Sequence, residues 1–332
     1  MSGRRVDVHE IAQALMRPGS RPVITAHHNP DADAIGSMLG LARALRAAGQ
    51  EVTLAHPDDP PVPADLAFLL AEGETIVTRP PEDLPERTLV TLDCASERRL
   101  WPEPVHERAA LVVNIDHHQD NTLFGDLNLL VPDASSTAEV LMGVIDALGV
   151  PLDASIATPL YAGMVTDTGR FGYRNTSPAT HRAAARLLEA GVDHAELARL
   201  LYENQPPDRL RLLGRALDRS RHLADGLLVV SHLTGDDFAD AAGDDSEGIV
   251  EVMRSGRGVR VAALVREAGP TGSYRVSLRT VDPQMDMSAL AREEGGGGHR
   301  AAAGFSTTRS PEDLFAWLER RVRERLGDPA SR

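Results

Sequence analysis

Apolar residues recur along this chain in two styles. Short unbroken runs at 23–26, 88–92 and 110–115 alternate with longer stretches in which apolar positions return every three or four residues. Unbroken apolarity marks strands buried on both faces, as in a parallel sheet. Ile35, Met38, Leu39, Leu41, Ala42 and Leu45 recur at helical spacing. That helix is expected to start at Ala34 and to end at Gly49. A shorter helix over 10–16 precedes the first run, and 51–55 and 75–78 read as further strands around a proline-rich loop at 57–63. Helices are expected over 135–148, with Ser135, Ser136 or Thr137 as the cap, and over 155–166, 178–191, 194–202 and 208–222.

The pattern then changes. A strand at 226–232, an acidic loop at 236–247 and a helix at 249–254 are followed by strands at 259–266 and 273–280. A short helix at 289–294 leads into Gly295–Gly298, and a last helix over 312–326 is capped by Ser310 with Pro311 at its first position. With 332 residues there is room for two domains. The expected fold class is α/β: a parallel-sheet domain over 1–190, a helical linker over 191–222, and a smaller α+β domain with a mixed sheet over 223–327.

The ends of the apolar runs carry the chemistry. The first stops at His27, with Asp31 and Asp33 close behind; the second stops at Asp93; the third stops at Asp116-His117-His118. Open α/β sheets bind ligands at the carboxyl ends of their strands. One terminal Asp is usually a turn residue or a cap, but three runs ending this way at one edge call for another reason. Asp167 closes a later helix, before Thr168-Gly169-Arg170-Phe171. His27, Asp31, Asp33, Asp93, His117 and Asp167 offer four carboxylates and two imidazoles, whose charge two divalent cations would balance. Mixed oxygen and imidazole donors suit Mn²⁺ better than Ca²⁺ or Mg²⁺. A metal pair roughly 3.5–4 Å apart turns bridging water into a hydroxide nucleophile for phosphoryl transfer. His118 then reads as a phosphate contact or proton donor. His28 is expected to face solvent.

Charge and composition narrow the choice. The net charge is −14, and all 35 basic residues are arginine, so no lysine can serve as base or Schiff-base former and long nucleic acid is not held by bulk electrostatics. Six arginines (254, 257, 260, 266, 275 and 279) against the single acid Glu267 nevertheless make 254–280 basic. The glycine run soon after, followed by His299 and Arg300, suits an anion site, since glycine lets backbone N–H groups approach closely and arginine offers a fork of donors. The lone Cys94 excludes an internal disulfide and a cysteine zinc site and reads as a small buried residue. Neither a secretory signal nor an apolar run of the ~20 residues that a membrane span needs is seen, so a cytoplasmic location is expected. Twelve aromatic residues leave few partners for base stacking; Phe171 and Tyr173 are the candidates. The first strand lacks the G-x-G-x-x-G turn of a nicotinamide-binding fold.

Taken in order, HHNPDADAIGS (27–37), the Asp93 strand end, Asp116-His117-His118, Asp167-Thr168-Gly169 and GGGGHRAAAGF (295–305) resemble the DHH phosphoesterase superfamily with its DHH-associated C-terminal domain. Chain length and spacing are similar to the NrnA-type nanoRNases, as is the segment 245–250. The resemblance implies an active site in the cleft between two domains, often in a homodimer. It implies hydrolysis of short oligoribonucleotides, with activity on 3′-phosphoadenosine-5′-phosphate (pAp) and on cyclic dinucleotides in parts of the family. It implies that His27 and Asp31 bind one Mn²⁺, that Asp33, His117 and Asp167 bind the other, and that Asp93 bridges them. Asp116 would orient His117, and His118 would touch the scissile phosphate. Arg279, Gly297, Gly298, His299 and Arg300 would hold substrate phosphate. Arg170 stands where smaller residues are common; it either adds a phosphate contact or packs at the rim. The rival readings are a family-II-like inorganic pyrophosphatase, which lacks the glycine-histidine element, and a nucleotide sensor without turnover, which would need no metal pair.

Overall fold

The computed structural model describes residues 3–204, 206–238, 246, 248–268, 272–298 and 300–327. The chain forms two compact units, 1–204 and 205–332. The stretch expected to link the domains is shared between them. Its first helix buries Leu197 in the core of the first unit, and its second buries Leu212 and Ala216 in a core of the second.

The first unit contains strands β1 (Arg4–Arg5), β2 (Val23–Ala26), β3 (Thr53–Leu54), β4 (Thr88–Leu92), β5 (Leu111–Asp116) and β6 (Leu127–Leu130). Its helices are α1 (Val8–Leu15), α2 (Ala32–Ala47), α3 (Thr137–Leu148), α4 (Ala154–Asp167), α5 (Pro178–Glu189) and α6 (His194–Tyr202). The strands form one sheet in the order β1-β6-β5-β4-β2-β3, and every neighbouring pair is parallel. Register explains the clustering that the sequence suggests. Ala26 pairs with Leu92 and Leu92 with Ile115, so His27, Asp93 and Asp116 leave the sheet side by side at its carboxyl edge.

The two faces of this sheet are covered differently. Ile24, Ala26, Val90, Leu92, Val113 and Ile115 pack with residues of all six helices. On the other face Val23 and Leu89 meet Leu84, Leu100, Trp101 and Val105, which lie in loops and single 3-10 turns. Helices α2 and α4 pack closely through glycines. A Cβ on Gly36 would stand 2.1 Å from the Pro159 carbonyl oxygen, and one on Gly40 would stand 2.6 Å from Leu160 Cγ.

The second unit has α7 (Pro207–Asp218), β7 (Arg221–Leu223), β8 (Leu228–Leu233), α8 (Ile249–Arg254), β9 (Val261–Glu267), β10 (Tyr274–Thr280), α9 (Met287–Glu293), β11 (Gly297–Gly298), β12 (Ala302–Thr307) and α10 (Pro311–Leu326). The sheet order is β11-β12-β10-β9-β8-β7, parallel only between β8 and β9 and therefore mixed. Alternate residues face opposite ways along a strand. Leu228, Val230, Val261, Ala263 and Val265 accordingly meet α9 and α10, whereas Val229, Ala262 and Leu264 meet α7 and α8. Only the ends of the expected acidic loop, up to Phe238 and at Ser246, lie within the described residues. Asp245 and Glu247 of the segment 245–250 that resembles the nanoRNases fall outside them. Among the described residues, no helix is long and apolar enough to cross a membrane.

Candidate metal centre

Each donor is placed by a local device. Helix α2 starts two residues earlier than its apolar spacing suggests, because Asp31 is its N-cap and accepts from the backbone N–H of Asp33 and Ala34, both at 3.0 Å. Asp33 therefore lies inside the first turn, almost wholly buried. Its carboxylate takes two backbone donors from the start of α3, Thr137 N–H at 2.7 Å and Ala138 N–H at 3.0 Å. A helix N-terminus offers unpaired N–H groups and a partial positive charge, so α3 steadies Asp33 as an anion. Asp93 follows β4 with φ +53°, a left-handed conformation that Asp tolerates better than most residues. Thr137 Oγ1 donates to its Oδ1 at 3.0 Å. Asp167 is the last residue of α4. After it Gly169, Arg170 and Phe171 take φ +54°, +59° and +62°, and Asn175 Nδ2 ties the Asp167 carbonyl (3.1 Å) to that of Ser135 (2.9 Å).

Two imidazoles share one orientation. His27 Nδ1 bonds the carbonyl of His28 at 2.9 Å, and His117 Nδ1 bonds that of Ala134 at 3.3 Å. A carbonyl only accepts, so each Nδ1 carries the proton and each Nε2 is left to ligate. His27 Nε2 lies 3.5 Å from Asp93 Oδ2; His117 Nε2 lies 3.5 Å from Asp93 Oδ1 and 3.4 Å from Asp167 Oδ2. Lone pairs and carboxylate oxygens at these separations gain nothing unless positive charge sits among them.

The donors form overlapping groups, each with ligand atoms within 4.8 Å of one another: His27, Asp31 and Asp93; Asp33, His117 and Asp167; and Asp93, His117 and His118. Proton affinities report the same demand for cations. Burial, with the charges of Asp93 and other carboxylates, pushes Asp33 and Asp167 well above the usual carboxylate range. Burial opposes a charged His118, yet its bond to Asp116 and the nearby Asp93 raise it to about 9. A set of buried oxygens and nitrogens that draws in protons in this way fits a site for divalent cations.

Some expected roles are redistributed. Asp116 was expected to orient His117, but its Oδ1 receives the ring Nδ1–H of His118 at 2.8 Å and meets His117 only through backbone N–H, also at 2.8 Å. The ring of His117 is held by Ala134 instead. Asp116 Oδ2 accepts from Asn121, which is bonded in turn to the buried Asn114. Arg170 lies with its guanidinium 3.7 Å over the ring of Tyr202, the packing alternative of its two readings. Phe171 stacks on His181, and Tyr173 is 43 % exposed. His28 is largely exposed and pairs with Asp58. Cys94 is fully buried.

In the second unit, Arg279 Nε bonds Glu251 at 2.5 Å and Arg300 bonds the Pro283 carbonyl at 2.5 Å. His299 lies outside the described residues. The glycine run is structured: Gly297 and Gly298 pair with Gly304 and Ala303. A Cβ on Gly296 would stand 2.3 Å from the Gly304 oxygen, and one on Gly298 would stand 2.6 Å from that of Ala302. A Cβ on Gly297 would meet nothing within 4 Å.

Sequence reasoning missed the part that Thr137 plays beside the donors. The Ser-Ser-Thr run signalled a cap, but only the fold places that cap against Asp33 and Asp93.

Carboxylates and imidazoles gathered at the carboxyl edge of a parallel sheet, followed by a mixed-sheet unit, define a phosphoesterase of two α/β domains. The "DHH family, N-terminal domain" matches residues 21–164, and the "DHHA1 domain" matches residues 227–325. The bifunctional oligoribonuclease and PAP phosphatase NrnA of Thermus thermophilus is 40% identical over 296 residues, 89% of this chain and 86% of that protein. The enzyme of the same name from Bacillus subtilis is 27% identical over 90% of each chain. Among solved structures, an exopolyphosphatase-related protein from Bacteroides fragilis superposes with a TM-score of 0.88 at 26% identity, covering 96% of both chains. The chain belongs to the DHH family of phosphoesterases.

Proposed function

We propose that this protein is a Mn²⁺-dependent phosphodiesterase that degrades short oligoribonucleotides such as pApA to mononucleotides. Removal of the 3′-phosphate of pAp and cleavage of c-di-AMP fall within the same chemistry. The observation that carries the reading is the position of Asp93, whose two oxygens each face an imidazole Nε2, from His27 on one side and His117 on the other. His27, Asp31 and Asp93 would hold one cation, and Asp33, His117 and Asp167 the second, with Asp93 within reach of both. Such a pair supplies Lewis acidity toward the phosphate and acidifies water at neutral pH. The names of the T. thermophilus and B. subtilis relatives, both oligoribonuclease and PAP phosphatase, support the substrate class.

The protein's own groups position the substrate. His118, with Nδ1–H given to Asp116, keeps Nε2 for a phosphate oxygen or the leaving oxygen. Asp116 fixes that ring and the backbone of the DHH turn together. From the second unit, Arg279, Arg300, His299 and the backbone of Gly297 and Gly298 would hold a substrate phosphate. Recognition of a chain end favours short substrates, in keeping with a net charge of −14.

A product time course on pApA, pAp, c-di-AMP and pyrophosphate, with Mn²⁺ and with Mg²⁺, tests the reading. The expected result is release of AMP from pApA and little turnover of pyrophosphate, with Asp93→Ala folded and inactive. Wild-type rates from Asp93→Ala, or faster turnover of pyrophosphate than of any nucleotide, would overturn it.

A further inference from the structure

His56 is fully buried, and the chemistry described so far makes no use of it. It lies two residues past β3, which pairs in parallel with β2, so it emerges at the same carboxyl edge as His27. Its Nε2 lies 3.0 Å from the His27 carbonyl oxygen, and the backbone N–H of Asp58 points to its Nδ1 at 3.3 Å. A carbonyl only accepts and an N–H only donates, so Nε2 carries the proton and Nδ1 the lone pair. The Asp58 carboxylate accepts the backbone N–H of Asn29 at 2.8 Å and, through its other oxygen, pairs with the exposed ring of His28.

We infer that His56 and Asp58 are positioning residues for His27, a clamp that aims its Nε2 at the cation site beside Asp93. Two successive peptide planes are held at all four of their polar groups. In the first, the His27 carbonyl accepts from His56, and the His28 N–H donates to the Arg99 carbonyl at 2.6 Å. In the second, the Asn29 N–H donates to Asp58, and the His28 carbonyl accepts from the ring Nδ1 of His27 at 2.9 Å. A trans peptide is planar, with its carbonyl and N–H pointing opposite ways, so a grip on one side of the plane fixes where the other side points. The direction of the His28 carbonyl sets the ring of His27, and with it the line from Nε2 to Asp93 Oδ2, 3.5 Å away. Neither grip comes from the turn itself: His56 and Asp58 reach it across 29 positions in each case. The assignment rests on the reading of His27 as a cation ligand.

The test uses the full-length protein as wild type, His56→Leu, His56→Gln, Asp58→Ala and Gly40→Ala, the last a destabilising change away from the donors. Hydrogen exchange of the metal-free proteins reads the amides of His28 and Asn29, and Mn²⁺ titration calorimetry reads the site. His56→Leu leaves the His27 carbonyl without its donor, whereas the amide N–H of glutamine has a similar reach. In His56→Leu and Asp58→Ala those two amides should exchange roughly 10-fold faster. One of the two Mn²⁺ sites should weaken roughly 10- to 100-fold, the range for a ligand that loses its support. The other, formed by Asp33, His117 and Asp167, should bind as before. His56→Gln should recover most of both losses, and Gly40→Ala should lower the melting temperature without either. Asp58 is partly exposed, so Asp58→Ala carries the test if His56→Leu does not fold. Wild-type Mn²⁺ affinity in Asp58→Ala and His56→Leu, an equal loss in Gly40→Ala, or no recovery in His56→Gln would each overturn the assignment. If the variants behave as expected but wild type cleaves neither pApA nor pAp, the functional reading falls and this one stands. If wild type cleaves pApA and both clamp variants bind Mn²⁺ unchanged, the functional reading stands and this one falls.

Discussion

One methyl group at position 163 should disturb the metal centre from outside it. Gly163 lies on α4 where that helix crosses α2, and a Cβ there would stand 2.6 Å from Asp33 Oδ1 and 2.9 Å from Asp33 Cα. Carbon atoms in contact prefer about 3.5–4.0 Å, so Gly163→Ala requires the helices to part, or Asp33 to move, by about 0.6 Å or more. The neighbour cannot yield cheaply, because Asp33 Cα is backbone and the carboxylate is pinned by Thr137 N–H and Ala138 N–H. Overpacking of this kind costs about 1–3 kcal/mol, and stretching one of those hydrogen bonds adds about 0.5–1.5 kcal/mol. Displacing a ligand by a fraction of an ångström should weaken metal binding roughly 10- to 100-fold, the range seen when a ligand loses its support. Gly40→Ala is the control: its new Cβ also clashes, but with the side chain of Leu160, away from the donors. Mn²⁺ titration calorimetry and thermal unfolding of both variants make the comparison. Gly163→Ala should lose stability and Mn²⁺ affinity together, whereas Gly40→Ala should lose stability alone. Wild-type Mn²⁺ affinity in Gly163→Ala, or equal loss of affinity in both, would refute the reasoning.

Two further outcomes follow from single contacts. Thr137→Val keeps the backbone N–H on Asp33 but removes the hydroxyl that donates to Asp93 at 3.0 Å; Mn²⁺ affinity should fall about 10-fold and return in Thr137→Ser, and identical titrations for Val and Ser would count against the contact. In the second unit Asp237 is drawn down to about 2: burial opposes this, but Arg219 and the N–H and hydroxyl of Thr234 outweigh it. A depressed carboxylate stabilises the fold above its unfolded value of 3.8 and loses that contribution as pH falls toward 2. Asp237→Asn should therefore be less stable by about 1–2 kcal/mol near neutral pH, after allowance for solvent screening of Arg219. In urea melts followed through the buried Trp317, the gap from wild type should close below pH 4, and a gap that stays constant with pH would sink the assignment.

What could be read from residue order alone was whatever is local. The apolar runs at 23–26 and 88–92 are strands at those bounds, and their parallel pairing follows from unbroken apolarity. The residues that end them stand side by side because parallel register puts successive strand ends at one edge. Other elements escaped for physical reasons. Arg4–Arg5 and Leu127–Leu130 form strands at one edge of the first sheet; an exposed pair of arginines has no apolar signature, and the LNLL run is too short to separate from a loop. Unbroken apolarity says that both faces are covered, but not that helices cover one and loops the other. Four glycines suggested an anion-binding loop, whereas Gly296 and Gly298 are required by the close approach of β12.

The division between ligands and their supports has the same origin. A ligand needs only a chemical type at a strand or helix end, and both are visible in a string of letters. Its support is a contact between segments far apart in the chain. Thr137 reaches Asp93 across 44 positions, and its backbone reaches Asp33 across 104. Contacts of this kind also hold left-handed backbone beside the donors. A left-handed non-glycine residue costs about 1–2 kcal/mol, and the protein places such residues at Asp93 and again at Arg170 and Phe171, just after Asp167. In each place the surroundings hold the distorted turn. Asp93 N–H bonds the Ile115 carbonyl, Phe171 N–H bonds the Thr168 hydroxyl, and Asn175 grips the carbonyl of Asp167. Strain this close to the donors persists only where the fold over-determines the geometry. A donor set able to hold metal ions therefore depends on the framework behind it, and substitutions such as those at Gly163 and Thr137 should act on metal binding without removing a donor.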